Sequence, residues 1–123
     1  MDKDYILRIA NTIRRQICFS TDTNTIQSWG VSKPTATVFN NMPAFVFLAN
    51  ARLFQGLVII AYNDNDLYEL HLHDKTSVRC ISKEIYADQL GELIDITIER
   101  GNNPEEYKAF CEEQRKLLFS GAI

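Results

Sequence analysis

Between residues 35 and 85 the chain is cut into short apolar runs by breaks that reverse a backbone. "TATVF" stops at Asn40-Asn41-Met42-Pro43, and "AFVFLAN" stops at Ala51-Arg52. "LFQGLVIIAY" stops at the cluster Asn63 to Asp66, and "LYELHLH" stops at Asp74-Lys75-Thr76, ahead of "SVRCI". The runs have strand length and strand composition, and Asn, Asp and Pro are turn formers. Connections this short join neighbouring strands as hairpins, which predicts an antiparallel meander of about four or five strands. "TIQSWGV", ahead of Lys33-Pro34, is a further candidate strand. "GLVIIAY" is apolar on both faces, so it is expected at the centre of the sheet.

Helices flank the meander. Ile6, Ile9, Ala10, Ile13 and Ile17 recur at helical spacing and predict a helix over 3–18. Tyr86, Leu90, Leu93, Ile94 and Thr97 share a second stripe over 86–100, with Gly101 placed to end it. Asn103, Pro104, Glu105 and Glu106 form a strong helix start, predicting a last helix over 104–119. That helix is expected to bury Tyr107, Phe110, Cys111, Leu117 and Leu118. The fold class is therefore α+β: an N-terminal helix, an antiparallel meander and two C-terminal helices, in one domain over 1–123. A chain with 46% hydrophobic residues can fill one real core at this length.

The charge is unevenly spread. Residues 1–60 hold six basic and three acidic side chains, whereas residues 61–123 hold seven basic and thirteen acidic. The acidic excess reads as solvated helix faces. Cys18, Cys80 and Cys111 are scattered with no C-x-x-C spacing, which fits a reducing compartment with the thiols packed as small hydrophobes. The N-terminus is charged throughout, and the longest apolar runs are too short to span a bilayer as helices. Cytoplasmic location without membrane attachment is the expectation.

The stretch "DLYELHLHDK" holds both histidines. Strand alternation sends Tyr68, Leu70 and Leu72 to one face and Glu69, His71 and His73 to the other. Two imidazoles and a carboxylate on one face are ligand types for zinc or non-haem iron, so Glu69, His71 and His73 are the candidate metal ligands. Against this, next-but-one residues on a strand lie roughly 6.5–7 Å apart, and one strand converges poorly on one ion. The simpler reading is polar residues on a partly wet sheet face. Pairing Asn63 with Asp66 sets His71 opposite Val58 and Glu69 opposite Ile60; an odd-length loop shifts both. An EF-hand is excluded, since from Asp64 the sixth position is Glu69 and the twelfth is Lys75. Cys80 is the thiol that strand order brings towards these imidazoles.

No serine-hydrolase elbow, phosphate loop or dinucleotide motif is present, and no cofactor is expected. Arg8, Arg14 and Arg15 of the first helix are the candidate nucleic-acid contacts, with Arg8 and Arg15 sharing a face. Phe45 and Phe47 read as core residues, not base-stacking platforms, since they share a face with Ala49. Trp29 reads as a core anchor whose ring N–H finds a partner, and Gly30 as a bulge or close backbone approach.

"SWG", "FVFLANARLFQG", "VIIAYNDNDLYELHL" and "YADQLGELID" together cover much of the region 26–100. This pattern resembles a group of small proteins from gut Bacteroidetes genomes, some on mobile elements. The resemblance implies a bacterial accessory or mobile-element protein and brings no catalytic or binding residue with it. The reading that emerges is a non-enzymatic protein-interaction domain with a protein partner or a second copy of itself, through a sheet edge or the last helix.

Overall fold

The computed structural model describes residues 1–119, with side chains through Leu117. Helix α1 spans Lys3–Ser20, and a short helix α2 spans Thr23–Ser28. Five strands follow: β1 Ser32–Phe39, β2 Met42–Asn50, β3 Gln55–Tyr62, β4 Tyr68–His73 and β5 Val78–Ile85. They form one antiparallel sheet in the order β1-β2-β3-β4-β5. A 3₁₀ turn Ala87–Gln89 leads into helix α3 Leu90–Asp95, a π turn Ile96–Arg100 and helix α4 Pro104–Phe119. The fold is α+β, as the pattern of runs predicts.

One face of the sheet carries the main core. Phe45, Phe47, Val58, Ile60, Leu70 and Leu72 pack there against Ala10, Ile13 and Ile17 of α1 and Leu90 and Ile94 of α3. Burying each such aliphatic side chain contributes about 1.5–3 kcal/mol. α1 starts at Asp2, whose Oδ1 accepts the N–H of Asp4 at 3.2 Å. Asn103 caps α4 as predicted, its Oδ1 accepting the N–H of Glu106 at 3.1 Å.

Four expectations are corrected. "TIQSWGV" is not a strand. Asp22 precedes a helical turn, the Ser28 hydroxyl bonds back to the Thr25 carbonyl, and the turn delivers Trp29 into the core. Trp29 is fully buried, stacks on Phe47 with ring centroids 6.2 Å apart, and donates from Nε1 to Asp95 Oδ1 at 2.9 Å. Its neighbour Gly30 has φ +61°, and a Cβ there would stand 2.7 Å from the Asn50 carbonyl oxygen, so the close approach is real.

The β3–β4 connection is the second correction. It runs Asn63–Leu67, an odd length, with the Asn63 side chain accepting the N–H groups of Asn65 and Leu67. His71 therefore faces Ile59, and Glu69 faces Ala61. The third concerns α4. Tyr107 and Phe110 are half-buried, while Cys111 and Leu117 are exposed; the Leu118 side chain lies outside the described residues. The fourth concerns the thiols, which do not pack as small hydrophobes: Cys18, Cys80 and Cys111 are all exposed.

Candidate functional site

The face of the sheet away from the helices carries no covering element among the described residues. Cross-strand register arranges it in rows. Ala44, Ala61 and Glu69 form the row near the β3–β4 loop. Val46, Ile59, His71 and Cys80 form the middle row. Ser32, Leu48, Leu57, His73 and Val78 form the row at the opposite end. Strand alternation thus places Glu69, His71 and His73 together on this face, with Tyr68, Leu70 and Leu72 in the core.

The face is not wet along its whole length. Glu69 and His71 are 8% and 5% exposed, and only His73 is open. Curvature explains the difference. β1 and β4 stand three strand spacings apart, about 14 Å in a flat sheet. Yet the Phe39 ring centroid lies 4.7 Å from that of His71, edge to face. The sheet curls towards its bare face, and the small Ala44–Ala61 pair leaves room for Phe39 and Met42 to lie over it. The result is a second, smaller core with a polar pair inside.

That pair is satisfied internally. His71 Nε2 lies 2.9 Å from Glu69 Oε1, an imidazole N–H donating to a carboxylate. Asn63 Nδ2 donates to Glu69 Oε2 at 3.2 Å and to the Lys83 carbonyl at 3.0 Å. Cys80 stands directly across from His71, but no hydrogen bond joins them and the thiol is exposed. His73 does not join the Glu69–His71 pair. Among the described residues no three His, Cys, Asp or Glu side chains are grouped to hold a metal ion.

At the His73 end the surface opens into a cleft of about 460 Å³, lined by Leu48, Gln55, Gly56, Leu57, His73 and Lys75 among others. Gly56 has φ +151°, and a Cβ on it would stand 2.6 Å from the His73 carbonyl oxygen. The glycine keeps both the backbone approach and the space. Asp74 sits at the rim with Oδ1 accepting from Thr76 N and Oγ1 at 2.8 Å and Ser77 N at 3.0 Å. Those bonds hold its carboxyl below the usual range.

The candidate arginines lie on α1. Arg8, Arg14 and Arg15 are all exposed, and the Arg8 guanidinium sits 5.3 Å from the Tyr5 ring centroid. Phe45 and Phe47 are buried in the core, away from this surface. The side chain that sequence reasoning missed is Phe19, one helical turn beyond Arg15 and 90% exposed. The signal was legible: Phe19 follows Ile17 by two positions, about 200° around the helix from the buried stripe. Phe19 borders a hollow of about 350 Å³ with Gln16, Ser20, Ala87 and Asp88.

Arg52 was also missed as a structural centre. Its Nε donates to the Glu99 carbonyl and its Nη2 to the Arg100 carbonyl, each at 2.8 Å. These are orphan carbonyls at the end of the third helical segment. Its Nη1 reaches Glu106 Oε1 at 3.2 Å, and its guanidinium lies 5.4 Å from the Tyr107 and Phe110 ring centroids. Burial raises the pKa of Glu99, against the opposing effect of the Arg52 N–H. Burial and the Cys111 thiol push the Tyr107 phenol up to about 12.

The architecture defined by these observations is a curled five-stranded meander, helices on one face and a half-sealed opposite face. Set against known proteins, the chain matches no family model, no curated protein and no solved structure. No described helix is long and apolar enough to cross a membrane.

Proposed function

We propose that the protein is a non-enzymatic protein-interaction domain that engages its partner through the outer end of α1. The observation that carries this reading is Phe19, a phenylalanine left 90% exposed at the edge of a hollow and one helical turn from the exposed Arg15. An exposed aromatic ring with an arginine on the same helix face is the chemistry of interface hot spots. The sheet edges offer less. β1 carries Lys33 and Pro34, and β5 carries Arg79, Lys83, Glu84 and a bulge, all devices that discourage an added strand. In the buried pair Glu69–His71, the His71 imidazole lies under Phe39 and Glu69 is engaged by His71 and Asn63, although Glu69 also borders a polar hollow at the β3–β4 loop. The resemblance to small Bacteroidetes proteins adds a cytoplasmic, bacterial accessory or mobile-element setting to the proposal.

A photo-crosslinking amino acid at position 19, in cells, tests the reading. A discrete adduct is expected there, including a homodimer if the partner is a second copy. Exposed position 64 serves as the control. Equal labelling at 19 and 64 would sink the proposal. A second reading has one observation in its favour: Arg8 and Arg15 share the outer face of α1 with Phe19, placing cations beside an aromatic ring. This is the arrangement that grips single-stranded nucleic acid. A mobility shift that weakens with salt and is reduced in Arg8→Ala/Arg15→Ala protein would support that reading, with Arg14→Ala contributing less; no shift at low salt removes it.

A further inference from the structure

We propose that the cleft at the His73 end of the bare face is a binding site for a small amphipathic carboxylate. The inference rests on the match between floor and rim. Leu48 and Leu57 are direct cross-strand neighbours and both line the cleft, giving an apolar floor two strands wide. Gly30 and Gly56 border them, and neither offers a side chain to fill the space. The volume of about 460 Å³ lies within the range of small-molecule sites.

The rim supplies the charge. Lys75 lies on the β4–β5 turn and His73 on the end of β4, and both line the cleft. Neither side chain has a hydrogen-bond or ion-pair partner among the described residues. The one acid of the rim, Asp74, is committed to its own turn through Oδ1. Ser32, Asn50 and Gln55 add neutral polar groups to the border. An apolar body laid on Leu48 and Leu57 brings a single anionic head within reach of the Lys75 ammonium. A cationic head meets that same ammonium, and the one carboxylate it could seek, Asp74, is already held by three hydrogen bonds of its own turn. The occupant is therefore an aliphatic or aromatic acid, bound as its carboxylate.

The test is a ¹H–¹⁵N chemical-shift titration of the full chain with decanoate, decanol and decyltrimethylammonium. Decanoate is expected to move the amides of Leu48, Gly56, Leu57 and Lys75, and to bind about fivefold more tightly than decanol, the value of one partly exposed ion pair. Lys75→Met should erase that preference and leave decanol binding unchanged. Equal binding of decanoate and decanol at these amides overturns the carboxylate assignment. So does a preference that survives Lys75→Met, or shifts confined to residues elsewhere. The α1 surface is untouched by any of these outcomes, and the position 19 crosslink judges it separately.

Discussion

His71 and His73 are two residues apart on one strand and point to the same side of the sheet, yet they occupy opposite environments. His71 is sealed under Phe39 with its imidazole bonded to Glu69; His73 stands at the open rim of a cleft. Strand parity is identical for both, so parity does not decide burial. The neighbours across the sheet do. Beside Glu69 and His71 stand Ala61, Ala44 and Ile59, over which the edge-strand side chain Phe39 folds. Beside His73 stand Leu57 and the glycine that precedes it, and all three border the open cleft. A polar side chain on a strand is wet or dry according to what its cross-strand partners leave room for.

The largest test of that contrast is Glu69→Ala against His73→Ala. Removing Glu69 leaves the buried His71 imidazole unpaired and should cost about 3 kcal/mol in urea unfolding. His73→Ala should change stability by less than about 0.5 kcal/mol. Equal effects would erase the distinction between the two ends. Phe39→Ala comes next. Loss of a half-buried ring should cost about 2 kcal/mol. It should also make His71 react with diethylpyrocarbonate, whereas in the parent protein His73 should be the only one of the two histidines to react. If His71 already reacts in the folded parent, the seal is not real.

A smaller effect concerns the loop that closes the sealed end. The Tyr62 hydroxyl donates to Asp66 Oδ1 at 2.5 Å, and this bond, with a smaller contribution from burial, raises the phenol to about 12. The bond needs the neutral phenol. Its contribution is therefore complete below the ordinary value near 10 and is lost as pH rises through about 12. In an ultraviolet titration, Asp66→Asn should return one tyrosine from about 12 towards 10; an unchanged curve would dissolve the link. The smallest expected effect is that of zinc. With Glu69 and His71 bonded to each other and His73 apart, stoichiometric zinc should leave the melting temperature unchanged. A rise that His71→Ala abolishes would restore the metal reading.

Much of the sheet could be read from the chain because its signals are local. Turn formers at 40–41 and 63–66 mark the hairpin ends, although Met42 and Pro43, read as part of the first turn, already belong to β2, and alternation along 68–73 orients the histidine strand correctly. What escaped depends on non-local geometry. The segment 23–28 has strand-like residues, but the demand of a buried Trp29 for Asp95 in a distant helix turns it helical. The register of β3 against β4 hung on whether Asn63 wraps its side chain around a longer loop. The burial of Glu69 and His71 depends on sheet curvature, which brings in a ring from three strands away. Phe19 lies within reach of helical arithmetic, because it falls opposite the buried stripe of α1.

Arg52 has a consequence for the way the molecule breathes. Among the described side chains of α4, Tyr107 and Phe110 are half-buried, and both lean on this one guanidinium, as does Glu106. Most of the remaining described side chains of α4 face solvent. A helix held by few half-buried contacts opens locally at lower cost than the sheet. Proton exchange at the amides of α4 is therefore expected to quicken in Arg52→Ala protein ahead of exchange in the sheet, reporting the hold of this arginine on the β2–β3 turn.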